Sequence, residues 1–337
     1  MSQSFEIRPI DLLDPTQEEA GVAWMDVHAS VQRHLFGDRG SAWSLAEIQT
    51  FHRGSDKRRI DRAVWVDGLV VGAVEVMLPI HDNLKQALIW LSVLPAHRGN
   101  GIGGALLAEA ERIAGEQGRT ILMAETEWAH GRDDESESFA KRHGYAVGQT
   151  VLRSEQRLPA DRDALAGMLL RPGAEDYELD SFVDRMPEQW LEDRAVLQQR
   201  MSTDAPSGDL DTEEEDWNAE RLRQAQQRNV DSGRRVVETV ARHVPTGRLV
   251  GFTTIGVSAS TPDLGYQQDT LVLTEHRGHA LGLRLKAANS LRLMDELPAV
   301  SSVRTWNADS NDHMLAVNRE LGYAVDGYSR EWQKVCS

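Results

Sequence analysis

The stretch ALIWLSVLPAHRGNGIGGALLAEAERIAGEQG, residues 87–118, decides the fold. Its opening, ALIWLSVL (87–94), is an apolar run of strand length, the pattern of a strand buried on both faces. In its second part Leu106, Ala110 and Ile113 recur at i, i+4 and i+7, which predicts an amphipathic helix, and Gly118 supplies a stop. Between strand and helix lies HRGNGIGG, with glycines at 99, 101, 103 and 104 that let the backbone turn sharply and approach a ligand. The unpaired N–H groups and the dipole of a helix start favour an anion there, and a phosphate or pyrophosphate is the natural occupant. Arg98 either reinforces that charge or packs on the surface. The plain alternative is a tight strand–helix connection without a ligand.

Upstream, AVWV (63–66), Asp67-Gly68 and LVVGAVEVML (69–78) read as a β-hairpin, because Asp-Gly accepts the positive φ angles of a two-residue turn. Downstream, TILMAETEW (120–128) reads as a strand and ESFAKRHGYA (137–146) as a short helix entering a Gly-Tyr turn. The second half repeats this order. VVETVAR (236–242) and LVGFTTIGV (249–257) form a hairpin around Pro245-Thr246-Gly247, and DTLVL (269–273) is a strand. TEHRGHALGLRLKAANSLRLMDEL (274–297) carries Leu283, Ala287, Leu291 and Met294 on one helical face. SSVRTW (301–306) and SNDHMLAVNRELGYA (310–324) complete the copy. Gly72 and Gly251 lie 179 positions apart, Arg98 and Arg277 also 179, and the pairs Gly144-Tyr145 and Gly322-Tyr323 178. A spacing held across three landmarks marks a duplicated domain, not a solenoid unit.

The expected division is therefore an N-terminal domain over 1–155, a linker over 156–175 with breakers Pro159, Pro172 and Gly173, and a C-terminal domain over 176–337. MSTDAPSGDLDTEEEDW (201–217) reads as a solvated acidic loop. With 37 Lys and Arg against 53 Asp and Glu, the net charge of −16 argues against a nucleic-acid or anionic-membrane partner. The single Cys336 excludes intrachain disulfides and CxxC zinc sites and fits a reducing cytoplasm. No apolar stretch is long and unbroken enough to span a bilayer; AVWVDGLVVGAVEVMLPI (63–80) is interrupted by Asp67, Gly68 and Glu75. Neither GK[ST], HExxH nor GxSxG occurs, so P-loop, zinc-protease and serine-hydrolase chemistry have no support. His97, His276 and His279 have no ligand partners at metal spacing, and no metal is expected.

The pattern Arg-x-x-Gly-x-Gly, in Arg98, Gly101 and Gly103, resembles motif A of the GCN5-related N-acetyltransferases (GNAT), and Arg277, Ala280 and Gly282 repeat it with alanine for the first glycine. The later Asn-x-x-small…Gly-(Phe/Tyr) motif resembles Asn311, Met314, Gly322 and Tyr323; the first half keeps Gly144-Tyr145, with Asp133 and Ala140 at the other places. The tandem arrangement looks most like the mycothiol-synthase-like acetyltransferases. The resemblance implies an α/β (α+β) fold of two tandem domains, each a mixed, mainly antiparallel sheet flanked by helices. It implies that acetyl-CoA is the cosubstrate, its pyrophosphate held by Arg98, Gly99, Asn100, Gly101, Ile102, Gly103 and Gly104 and by Arg277, Gly278, His279, Ala280, Leu281 and Gly282. Val93 and Val272 would meet pantetheine through their backbones, and Asn311 would complete the second site.

An amine must be neutral to attack a thioester, and the carbonyl oxygen needs a donor. The second half is the expected catalytic copy, with Asp269 as candidate base, Glu238 as its alternative, and Asn307 and Asn318 orienting substrate or water. Asn318 stands where the family often has its general-acid tyrosine, which leaves the thiolate's proton donor undefined. The expected activity is N-acetylation of a primary amine on a small cationic molecule, in a chain that is an internal pseudo-dimer and either monomeric or homodimeric. The alternatives are an acyl-CoA sensor or scaffold without turnover, and a transferase of longer acyl groups.

Overall fold

The computed structural model describes residues 4–54 and 56–336. The first half contains β1 (Glu6–Ile10), α1 (Glu18–Phe36), α2 (Leu45–Arg53), β2 (Lys57–Val66), β3 (Leu69–Pro79), β4 (Gln86–Val93), α3 (Ile102–Glu116), β5 (Ile121–Ala129), α4 (Glu137–Arg142) and β6 (Ala146–Arg157). There follow α5 (Arg162–Leu169), β7 (Tyr177–Val183), α6 (Leu191–Asp204), α7 (Ala219–Asp231), β8 (Arg235–His243), β9 (Arg248–Val257) and β10 (Leu264–Val272). The chain ends with α8 (Leu281–Glu296), β11 (Ser302–Ala308), α9 (Asp312–Glu320) and β12 (Ala324–Val335). Among the described residues no helix is long and apolar enough to cross a membrane.

Two compact units result, one of Met1–Thr150, Gly208–Asp211 and Tyr328–Ser337, the other of Val151–Ser207 and Thr212–Gly327. In the first, the strands run β1-β2-β3-β4-β5, with the end of β12 beside β5. Neighbours are antiparallel from β1 to β4, and β4–β5 is parallel. The second unit repeats this as β7-β8-β9-β10-β11-β6, with β10–β11 parallel and its other described ladders antiparallel. Each sheet is mixed and mainly antiparallel, with helices on its faces.

The expected hairpin turn is present: Val66 faces Leu69, with Asp67 at φ 48° and Gly68 at φ 82° between them. In the first unit α3 packs Leu106, Ala110 and Ile113 on one sheet face, and α1 and α2 cover the other with Trp24, Met25 and Ile48. In the second, Leu283 and Ala287 of α8 and Leu165 of α5 share one core, while Leu197 of α6 and Leu222 of α7 share another.

Two boundaries differ from the sequence reading. The last strand of each unit comes from the opposite half of the chain, so the division does not run cleanly at 155. Self-similarity cannot show this, because β6 and β12 occupy the same place in the repeat. Residues 156–175 are also not a bare linker. They hold the end of β6 and the whole of α5, whose N-cap Asp161 accepts hydrogen bonds from the N–H groups of Asp163 and Ala164. The acidic stretch 201–217 is likewise partly built in. Asp211 donates its N–H to Gln333 Oε1 at 2.7 Å, and its carbonyl accepts from Gln86 Nε2 at 2.6 Å.

Leu165 is 2% exposed. A leucine in a linker would tolerate truncation, whereas one in a packed helix would not. Leu165→Ala is expected to destabilise the protein by about 2–4 kcal/mol in a urea melt. A loss within about 0.5 kcal/mol, the range of surface changes, would return 156–175 to linker status.

Candidate functional site

Each unit's parallel strand pair ends in the same turn. After β4, a short 3₁₀ turn (Pro95–His97) leads to Arg98, whose Nε donates to the Val93 carbonyl at 3.2 Å. Gly99 and Gly101 then adopt φ 78° and 83°. A Cβ at either would meet nothing within 4 Å, so the requirement for glycine is conformational and the space beside the turn is open. No side chain caps α3, and its first intrahelical bond runs from Ala105 N–H to the Gly101 carbonyl at 3.1 Å. The N–H groups of Ile102, Gly103 and Gly104 are therefore directed at the turn.

The second unit rebuilds this with different residues. Arg277 Nε donates to the Val272 carbonyl at 3.1 Å, Gly278 has φ 87°, and Ala280 takes φ 54° at the uncapped start of α8. Holding alanine in this left-handed region costs about 1–2 kcal/mol, a cost the surrounding turn must offset. His279 Nδ1 reaches the Gly173 carbonyl, which ties the turn down. Ile102 and Leu281 anchor the two helix starts in the cores.

The two arginines do not offer free charge. Arg98 also donates to Glu135 at 2.9 Å, and Arg277 to Asp204 at 3.2 Å. They brace the turn against its own strand, and the anion-attracting groups are backbone N–H donors. Asn100 folds back on the His97 carbonyl at 3.3 Å.

Beyond the turns the parallel strands separate. The β4–β5 ladder runs from Gln86/Ile121 to Ile89/Ala124 and stops, although β4 continues to Val93 and β5 to Ala129. The β10–β11 ladder stops at Tyr266/Arg304, well before Val272 and Ala308. In the first unit a cavity of about 190 Å³ fills the gap, lined among others by Trp90, Ser92, Arg98, Glu125, Phe139 and Ala140. The surrounding protein, and then Glu127, raise the Glu125 carboxyl above its ordinary range.

The corresponding place in the second unit is polar. Lys286 of α8 is 2% exposed and donates through Nζ to Asn318 Oδ1 at 2.6 Å, and Asn318 Nδ2 donates to Asn307 Oδ1 at 2.6 Å. Two of the expected site residues, Asn307 and Asn318, are thus brought together; Asn311 is not with them. Its side chain caps α9 by accepting from Met314 N–H at 3.2 Å. Burial lowers the Lys286 amine to about 7. The sequence reading passed over Lys286, although it sits one residue before Ala287 and three after Leu283 on the buried helix face.

The β9–β10 ladder slips between Gln267 and Thr270, so Gln268 and Asp269 bulge from β10. Asp269 lines a second cavity, of about 310 Å³, with Asp184, Arg194, Gln198, Trp217 and Glu238. Its Oδ2 accepts from Gln198 Nε2 at 3.0 Å, and among the described residues it has no ion-pair partner. Glu238, the alternative base, is engaged by Arg194 Nε. The first unit has no such bulge. Its β3–β4 ladder is unbroken from Gly72/Val93 to Met77/Leu88, and Trp90 stands 179 positions before Asp269.

The family described as acetyltransferase (GNAT) domain matches residues 61–147, which include the first turn and the strands on either side of it. The chain carries a GNAT acetyltransferase domain. A tandem GNAT protein from the clavulanic acid biosynthesis pathway superposes with a TM-score of 0.81 at 26% identity, over 99% of both chains. The likeness to that tandem GNAT structure extends over the whole chain. Mycothiol acetyltransferase of Geodermatophilus obscurus is 30% identical over 158 residues, 47% of either chain. That of Kineococcus radiotolerans is 30% identical over 170 residues, covering 42% of this chain and 52% of its own. These matches span about half the length of the curated relatives.

Lys286 has an ordinary value near 10.5 and a folded value near 7, so between these the unfolded chain binds the extra proton. Its cost to folding is full below pH 7 and fades as pH rises. Stability of the wild-type chain relative to Lys286→Met should therefore rise by about 1–2 kcal/mol between about pH 7 and pH 9. A difference that stays constant across that window would show that the amine is not perturbed.

Proposed function

We propose that the chain transfers the acetyl group of acetyl-CoA to an amine of a small cationic acceptor, and that the second unit carries out the transfer. The observation that carries this reading is Asp269, presented by a strand bulge to a partly open cavity, with the Gln198 amide as its one hydrogen-bond partner among the described residues. An ammonium entering that cavity meets a carboxylate whose charge no cation cancels. Asp269 takes the proton that the amine loses on attacking the thioester carbonyl, and the carbon–sulfur bond breaks as the new amide forms. Glu238 and Asp184 add negative wall charge, consistent with a net charge of −16, although Arg194 and Arg235 partly neutralise them.

Acetyl-CoA fits the second turn as a cosubstrate because its pyrophosphate needs donors, and the N–H groups at Leu281, Gly282 and Leu283 are without intrahelical acceptors. Lys286 places an amine that titrates near neutrality two asparagine links from β11, so the splayed end of the second unit has a group that can carry positive charge near where a leaving thiolate would form. This supplies electrostatically what the missing tyrosine would have supplied by proton transfer. In the first unit the matching positions, Leu107 and Ala140, are apolar and line the cavity.

Asp269→Asn is expected to lower kcat by about 100-fold or more in a thiol-release assay across a panel of amines, with acetyl-CoA affinity unchanged. A second reading puts the chemistry in the first unit, favoured by Glu125 with its raised pKa in the β4–β5 cavity. Glu125→Gln decides between them: if it removes turnover and Asp269→Asn does not, the first unit is catalytic.

Ala280→Glu offers a cleaner probe of the cradle than a change at Gly101. A non-glycine residue already holds φ 54° at 280, so the substitution adds charge with little new backbone strain. It should weaken acetyl-CoA binding in the second unit by more than about tenfold in calorimetry and abolish turnover, with the circular dichroism spectrum unchanged. Undiminished turnover would remove that turn from the active site.

A further inference from the structure

The first unit holds a second cluster of chemical interest, on the sheet face covered by α1 and α2. His52, in the last turn of α2, sits over the β2–β3 hairpin, where Asp61 and Glu75 are cross-strand partners. His52 Nε2 lies 3.4 Å from Asp61 Oδ2 and 3.2 Å from Glu75 Oε1. Asp61 and Glu75 are 4% and 1% exposed, and the His52 side chain 8%. Despite the short separations, His52 Nε2 makes no hydrogen bond, and neither does the buried Asp61 Oδ1. Glu75 Oε1 is held by Arg59, but a buried His52 Nε2 and a buried Asp61 Oδ1 without hydrogen-bond partners are costly unless something else satisfies them.

From this geometry we infer that His52, Asp61 and Glu75 form a structural site for one divalent transition-metal ion, with Zn2+ as the best-fitting occupant. The His52–Asp61 separation is that of co-ligands, and the His52–Glu75 separation lies at the edge of that range. Zinc bonds of about 2.0–2.2 Å in tetrahedral geometry place neighbouring ligand atoms about 3.3–3.6 Å apart. Hydrogen-bonded N and O atoms lie closer, typically at about 2.7–3.2 Å. All three ligand atoms fall within 4.8 Å of one another. One imidazole and two carboxylates suit zinc, whereas Mg2+ and Ca2+ demand more oxygen ligands than the cluster offers. Arg59 NH1 donates to Glu75 Oε1 at 2.7 Å and orients that carboxylate, as an outer partner of a ligand does.

The sequence reading weighed His97, His276 and His279 as metal ligands; the His52 cluster was passed over because its members lie 9 and 14 residues apart on a helix and two strands, a spacing no motif describes. The duplication sharpens the point. Thr254, 179 positions after Glu75, faces Glu238 across β8–β9, and both line the open cavity of the second unit. The first unit carries the cluster where the second carries that cavity. The ion would pin the end of α2 to the hairpin and close this face, a structural role independent of acetyl transfer.

The test uses the full-length, untagged chain stripped with EDTA and dialysed, then titrated with ZnCl2 or CoCl2 alone. The expected result is about one Zn2+ per chain by mass spectrometry of the metal, a raised melting temperature that EDTA reverses, and visible Co2+ bands of a tetrahedral N/O site. His52→Ala and Asp61→Asn should each weaken Zn2+ binding by more than about tenfold. Absence of metal uptake and of any melting shift in the folded wild-type chain would overturn the inference, leaving His52 packed between two carboxylates without an ion. Binding that survives both substitutions would overturn it equally. Should both variants fail to fold, the Co2+ spectrum of the wild-type chain decides: tetrahedral bands support the site and their absence refutes it.

Discussion

The structure depends on one constraint repeated twice: a parallel strand must pass into a helix through a turn that leaves the helix start uncapped. Gly101 and Ala280 reach the left-handed region so that the chain can reverse within a few residues, and no side chain takes up the N–H groups that follow. In water those donors would be solvated at no advantage. Beside a slot between separating strands they become a fixed, positively polarised surface. Arg98 and Arg277 serve this arrangement from behind, bonding the carbonyl of the last strand residue and a nearby acid, which keeps the turn rigid without adding free charge.

The separation of β4 from β5, and of β10 from β11, follows from the same feature. Once the helix start is tucked against the strand end, the parallel partner can pair only with the first part of that strand. The freed strand ends must then find other partners or face a cavity. In the first unit they face the cavity that Trp90 and Phe139 line. In the second, Asn307 at the free end of β11 meets Asn318 and, through it, Lys286. The two units thus solve one backbone problem with opposite chemistry.

Much of this was legible in residues. Asp67-Gly68 announced a hairpin because few other dipeptides accept both positive φ values, and Leu106, Ala110 and Ile113 announced the buried face of α3 by spacing alone. The glycine turns stood out because their reason is conformational and local. Three features were hidden because their reasons are not local. The exchange of β6 and β12 leaves every repeat landmark in register. The α5 helix lies between prolines that flank it without breaking it, and Leu165, its one fully buried residue, does not stand out by spacing in a stretch this short. The bulge that presents Asp269 is a register fact, visible only when β9 and β10 are paired.

Lys286 and the His52 cluster were hidden for a further reason. Burial of a charge is costly, so a sequence reading defaults to placing lysines and acids outside. A duplicated fold offers a check on that default. Where one copy has Leu107 and Ala140, an apolar solution to that position is available, so Lys286 and Asn318 in the other copy are not demanded by the fold. Likewise Thr254 shows that the sheet tolerates a neutral residue where the first unit holds Glu75. Polar groups that the fold does not need, kept buried at a cost in stability, ask for a reason outside folding. In the second unit the proposed reason is a basic group beside the reacting thioester, and in the first it is the proposed ion that His52, Asp61 and Glu75 would share.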